Sequence, residues 1–268
     1  MIPQNQTPLP DGVERLAADF GLTPVTAAEI EFYLPGSDGY PQMQAFWCGV
    51  QAACKAAGIR LFKSEKEKGR DQHEVALMPD TPENTARDVA AIKTILNDVA
   101  EEHGLQADFA ARPFPGQPGS GLHIHIHLAD AAGRNVFYKD DDTISDALKF
   151  SIGGLLATMQ KNMPVFAPAA ESYNRFTPGG NAPLTVSWGA NNRTVAVRLP
   201  DSDHDNKRIE HRVAGADADP EKVIAAILSG ICFGLESKSD PGAQIYGDAG
   251  LETYGLPKLS ASPPSRRS

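Results

Sequence analysis

Cysteine is scarce in this 268-residue chain, and the three present, Cys48, Cys54 and Cys232, are neither even in number nor closely paired in spacing. That sets aside a disulfide framework or a structural zinc site, and the thiols read as free and buried. Long apolar runs are missing as well. The longest, Val223 to Leu235, is too short to cross a bilayer, and the opening MIPQNQTPLP lacks the basic and apolar parts of a secretory leader. Basic charge is in deficit: 25 Lys and Arg stand against 34 Asp and Glu, a formal net charge of −9. Such a balance argues against nucleic acid or an acidic membrane surface as a partner, so any phosphate must be met by locally placed groups. A cytoplasmic protein is expected.

With 41% hydrophobic and 22% charged residues, the chain has the composition of a globular protein with a sizeable core, and no internal repeat is visible. The Pro/Gln-rich residues 1–10 are expected to be flexible, 11–258 to form one domain, and the tail 259–268, containing SASPPSRRS, to be disordered. Helical periodicity is seen from Asp11 to Phe20, from about Gln42 to Ala57, from Thr143 to about Met163 and from Pro220 to Leu235. Thr81-Pro82-Glu83 supplies a cap, a first-turn proline and an acid for a further helix reaching about His103. Strands are expected at Val25–Leu34, Ile59–Lys63, His73–Met78, Leu122–Leu128, Leu184–Trp188, Thr194–Leu199 and Ile209–Val213. The irregular alternation of strands and helices predicts an α+β fold.

Several strands carry polar side chains in phase. In AEIEFYLPG the period of two sets Glu29 and Glu31 on one face, about 6–7 Å apart, and Ile30, Phe32 and Leu34 on the other. Alone, the pair is equally a solvated sheet face. In GSGLHIHIHLAD the same alternation lines up His123, His125 and His127, behind glycines at Gly116, Gly119 and Gly121 that let backbone approach a ligand. One strand histidine is commonly structural, whereas a stripe of three suggests metal or phosphate as readily. Glu67 and Glu74 flank a turn, and RIEHR sets Arg208, Glu210 and Arg212 in phase; each of these alone is also readable as a solvated charge run. Arg193 and Arg198, in an apolar strand, call for anionic partners, whether a carboxylate or a phosphate. Hard oxygen donors without cysteine favour Mg²⁺ or Mn²⁺ over zinc, and cations with arginine forks suit phosphoryl transfer.

From AEIEFYLPG through EKGRDQHEV, RPFPGQPGSGLHIH, ESYNRFTPGGNAPLTVSWGANNRTVAVRLP and RIEHRVAGADADP, the chain resembles the catalytic domain of the glutamine synthetase family, particularly its γ-glutamyl-polyamine and amine ligase branch. The resemblance implies a curved, mainly antiparallel sheet flanked by helices. It also implies two or three metal sites, with Glu31, Glu67 and Glu74 on one ion and Glu29, His123 and Glu210 on another. By the same matching, His125 would contact nucleotide phosphate, with Arg198 also on the nucleotide side. Arg193 and Arg208 would face the transferred phosphate, and Gly119, Arg175 and Arg212 would hold the carboxylate substrate. The implied reaction moves the γ-phosphoryl of ATP onto a carboxylate, and an amine then displaces phosphate.

Three features depart from the family. The separate small β-rich domain that usually precedes this segment is not in the sequence, so a homo-oligomer or a partner subunit supplying it is expected. Asn181 stands where glutamine synthetases carry a glutamate that takes a proton from the amine, and asparagine is no base. Pro118 replaces a glutamate-binding asparagine and has neither a side-chain donor nor an N–H. The expected function is therefore an ATP-dependent carboxylate–amine ligase with a non-standard acid or amine. The alternative is a non-catalytic, nucleotide-binding or regulatory relative of a full-length synthetase. A metal hydrolase built on the histidine stripe is a weaker third reading.

Overall fold

The structure, a computed structural model, describes residues 8–139, 144–178 and 182–259. Among the described residues five α-helices, α1 (Leu9–Phe20), α2 (Met43–Ala56), α3 (Pro82–Glu102), α4 (Asp146–Phe166) and α5 (Pro220–Ser237), accompany seven strands. The strands are β1 (Thr23–Tyr33), β2 (Leu61–Lys66), β3 (Gln72–Leu77), β4 (Leu122–Ala129), β5 (Trp188–Ala190), β6 (Val197–Leu199) and β7 (Ile209–His211). They form one open sheet in the order β2-β3-β1-β4-β7-β6-β5, antiparallel except for the β5–β6 pair. The α+β reading and the mainly antiparallel sheet hold.

Alternation along the strands decides which face is covered. Ile30 and Phe32 of β1, Val75 and Leu77 of β3, Leu122, Ile124, Ile126 and Leu128 of β4, and Ile209 of β7 are all buried in one hydrophobic core shared with the helices. Burying each such side chain is worth about 1.5–3 kcal/mol. This face determines the register, because a one-residue slip would turn every core side chain over to the opposite face. Two caps delimit the longer helices: Thr81 Oγ1 accepts from Asn84 N, and Ser145 Oγ accepts from Leu148 N.

Some boundaries move. Helix α1 begins at Leu9, which is buried, so ordered chain reaches past the expected boundary at Asp11. At the other end Leu259 is buried and its N–H donates to the Leu184 carbonyl, which ties it to the domain rather than to the tail. The rest of both expected termini, residues 1–7 and 260–268, together with Thr143 and Asn181, lies outside the described residues. The expected strand at Leu184–Trp188 is displaced: Thr185 bridges to Lys258 and Val186 N–H donates to Pro257, so this stretch pairs with the C-terminal segment and joins the sheet only at Trp188. The strand expected from Thr194 starts at Val197, because the Asn192 side chain accepts from Thr194 N and Oγ1 and holds a turn there. Cys54 and Cys232 are buried and free, but Cys48 is exposed, since it lies off the Phe46–Val50–Cys54 stripe of α2. Among the described residues no helix is long and apolar enough to cross a membrane.

Helices α4 and α5 cross closely at glycines. A Cβ on Gly154 would run into the Gly230 carbonyl oxygen and the Gly234 backbone. Gly154→Ala would gain about 1 kcal/mol of helix propensity but force two packed backbones apart at a cost of about 2–4 kcal/mol. The expected outcome is a net loss of about 1–3 kcal/mol in urea unfolding; an unchanged or higher midpoint contradicts this close packing.

Candidate functional site

The face opposite the core gathers the charge. Register places Glu29 opposite His123 across β1–β4 and Glu31 opposite Glu74 across β1–β3. His125 pairs with Glu210 across β4–β7, and Glu210 with Arg198 across β7–β6. Ligand atoms of Glu31, Glu67 and Glu74 lie within 4.8 Å of one another, as do those of Glu29, Glu74 and His123, and those of Glu29, His125 and Glu210. His123 Nδ1 stands 3.5 Å from Glu29 Oε2 and 3.8 Å from Glu210 Oε1. The set expected for one ion, Glu31, Glu67 and Glu74, is thus one cation-sized group, whereas Glu29, His123 and Glu210 are split between two groups, Glu29 with Glu74 and His123, and Glu29 with His125 and Glu210.

The donor chemistry fits divalent cations. His123 is buried and neither ring nitrogen has a hydrogen-bond partner, an orphaned polar group that costs free energy unless something accepts its lone pair. Burial and the facing Glu29 and Glu31 push the Glu74 carboxyl up to about 9, and burial with Glu31 raises Glu67. Glu29 goes the other way: burial opposes ionisation, yet His123 and His125 hold its carboxyl well below the ordinary range. Glu210 is also buried, but Arg212, the two histidines and Arg198 outweigh desolvation and hold it at about 2. Arg198 Nη1 donates to Glu210 Oε2 at 2.7 Å, and Arg212 Nη1 donates to Oε1. Arg198 therefore has its anionic partner in a carboxylate.

His125 is fixed differently from His123. Arg208 Nε donates to His125 Nδ1 at 3.1 Å, which requires that nitrogen to accept and places the neutral ring's proton on Nε2, 3.2 Å from Glu29 Oε1. An Nε2–H can donate to an anion but cannot ligate a metal, so of the two histidines His123 is the one free to do so. His127, the third of the stripe, belongs to none of the cation-sized groups found among the described residues.

The loop before β4 is held tightly. Tyr33 donates to the Pro118 carbonyl at 2.8 Å, Gln72 Nε2 to the Gly119 carbonyl at 3.1 Å, and Gly121 N to Glu31 Oε2 at 2.6 Å. Glycine is needed at two points here. A Cβ on Gly119 would lie 2.7 Å from Arg175 Cγ, and one on Gly121 2.6 Å from His123 Nε2. Arg175 is not on the open face: it is buried beneath this loop, its Nη1 donating to the Val213 carbonyl at 2.8 Å, and burial lowers its pKa to about 10. Arg193 also differs from expectation. It sits exposed in the turn before β6, so it needs no buried partner.

Two members of the charged face escape sequence reading. Lys63 and Glu65 of β2 join it, with Lys63 Nζ 3.4 Å from Glu74 Oε1 and in contact with Glu65. Their strand carries a register shift between Leu61 and Lys63, and no residue type announces it.

The raised Glu74 gives a signed pH dependence. Above about pH 4.5 the unfolded chain has lost this proton while the folded protein retains it up to about pH 9, so stability falls as pH rises across that window. Glu210, with its lowered value, contributes stability above about pH 4.5 that is lost on acidification toward pH 2, and is constant in the upper window. In chelator, the thermal midpoint is expected to fall between pH 6 and 9 and to flatten in Glu74→Gln; parallel profiles for the two proteins contradict this.

A family model for the glutamine synthetase catalytic domain matches residues 37–254. Gamma-glutamylputrescine synthetase PuuA of Escherichia coli (strain K12) is 35% identical over 266 residues, covering 88% of this chain and 56% of that protein. The glutamine synthetase of Pyrococcus abyssi (strain GE5 / Orsay) is 37% identical over 250 residues, covering 87% and 56%. Among solved structures, a GmaS/ADP complex superposes with a TM-score of 0.83 at 28% identity, covering 94% of this chain and 64% of that one. Apo GmaS without ligand gives 0.81, with 93% and 62% covered. The chain spans a little over half the length of these two curated relatives. Glu29 and Glu31 sit ahead of the family model's first residue, and by the extent of both comparisons the chain belongs to the glutamine synthetase family through its catalytic domain.

Proposed function

We propose that this chain carries the ATP and metal half of a carboxylate–amine ligase that works through an acyl phosphate on a non-standard acid or amine. The observation that carries the reading is the pair of carboxylate groups joined at Glu29 and Glu74, flanked by arginines and by a histidine whose proton faces the site. Glu31, Glu67 and Glu74 would hold one Mg²⁺ or Mn²⁺, and Glu29, His123 and Glu210 a second. Bound there, the ions would supply electrostatic neutralisation of phosphate oxygens.

The remaining residues position the reactants. Arg208 orients His125 so that its Nε2–H donates to a nucleotide phosphate, and its own guanidinium offsets charge on the moving phosphoryl group. Arg193, exposed in its turn, would be a second guanidinium for the transferred phosphate. Arg198 and Arg212 hold Glu210 ionised, and Arg212 with Gly119 meets the carboxylate substrate. Arg175 supports the Gly119 loop from below through its packing on it. The γ-phosphorus–oxygen bond to ADP breaks as a carboxylate oxygen bonds to phosphorus. Amine nitrogen then bonds to the acyl carbon, releasing phosphate and a proton. A homo-oligomer, or a partner subunit that covers the open acid face, would exclude water from that intermediate.

ADP release with Mg²⁺ or Mn²⁺ over a panel of acids and amines is expected to require a carboxylate. Arg208→Gln is expected to lower kcat about 10²–10³-fold with nucleotide affinity within a few-fold. Nucleotide binding with no turnover across the panel contradicts the ligase and supports the regulatory alternative.

A further inference from the structure

Strand β2 is one edge of the sheet, and its register shift has a chemical effect. Leu61 pairs with Leu77, so regular antiparallel pairing would set Lys63 opposite Val75, on the core face. Instead Lys63 pairs with Ala76 and Glu65 with Glu74. The extra residue moves both charged side chains onto the acid face and leaves Phe62 exposed to solvent. The Lys63 ammonium then lies 3.4 Å from buried Glu74 while contacting Glu65, whose side chain is half exposed. A single cation thus stands between a carboxylate inside the Glu31/Glu67/Glu74 group and one just outside it.

We propose that Lys63 is a resident counter-cation of that group, which offsets the group's negative charge when no divalent ion is present and is displaced onto Glu65 when one binds, so setting the affinity of the site. The inference rests on the metal reading above. Two positive charges cannot share Glu74 at close range, so the ion's entry must overcome the lysine, and Glu65 lowers that cost by receiving it. The arrangement also explains why an edge strand carries two charges facing inward across a register shift.

The test is Mn²⁺ titration of the purified chain, following the free-ion electron paramagnetic resonance signal, with circular dichroism to verify folding. Lys63→Met is expected to bind Mn²⁺ about tenfold more tightly than the parent, Lys63→Arg about as tightly, and Glu65→Gln about threefold more weakly. Parent binding with unchanged or weaker affinity in Lys63→Met overturns the counter-cation inference alone. A parent that takes up no Mn²⁺ overturns it together with the metal reading it rests on.

Discussion

Glu31 and Glu74 face each other directly across the β1–β3 pairing, and Glu29 sits two residues away on the same face. Like charges placed opposite on neighbouring strands repel, and burial of Glu74 deepens the penalty. The protein keeps this arrangement because the other face of the same strands is locked by Ile30, Phe32 and Val75 in the core. No slip of register can separate the acids without turning the hydrophobic side out. The remaining features of the face can be understood as responses to that fixed negative charge.

The responses differ along the sheet. At β7 the charge is met permanently, since Arg198 and Arg212 both donate to Glu210 and hold it ionised. At β4 it is met by imidazoles, with His125 committed through Arg208 and His123 left with two unpartnered nitrogens. At β3 it is met by a retained proton on Glu74 and by Lys63. The sheet thus grades from a fixed counter-charge at one end to exchangeable ones at the other.

Much of this was legible in the sequence because strand alternation is a strict period. The faces of AEIEFY and LHIHIHLA follow from counting by two, while of the ligand sets implied by the family resemblance, Glu31, Glu67 and Glu74 form one group and Glu29, His123 and Glu210 are split over two. The helices were legible from their caps, as at Thr81. What escaped depends on contacts between distant segments. Thr185 pairs with Lys258 rather than within the sheet, and Arg193 falls in a turn made by Asn192. Arg175 lies under the Gly119 loop instead of on the open face. Lys63 is the most instructive omission, since a one-residue shift against β3 reverses its face while the local sequence stays an ordinary edge strand.

The central claim is that one face of this sheet binds two divalent ions beside a nucleotide phosphate. Anomalous diffraction from crystals grown with Mn²⁺ and a non-hydrolysable ATP analogue tests it most directly. Two anomalous peaks are predicted, one among Glu31, Glu67 and Glu74 and one among Glu29, His123 and Glu210, with a phosphate oxygen within hydrogen-bond reach of His125 Nε2. Absence of both peaks, or manganese bound only elsewhere on the molecule, would contradict the account.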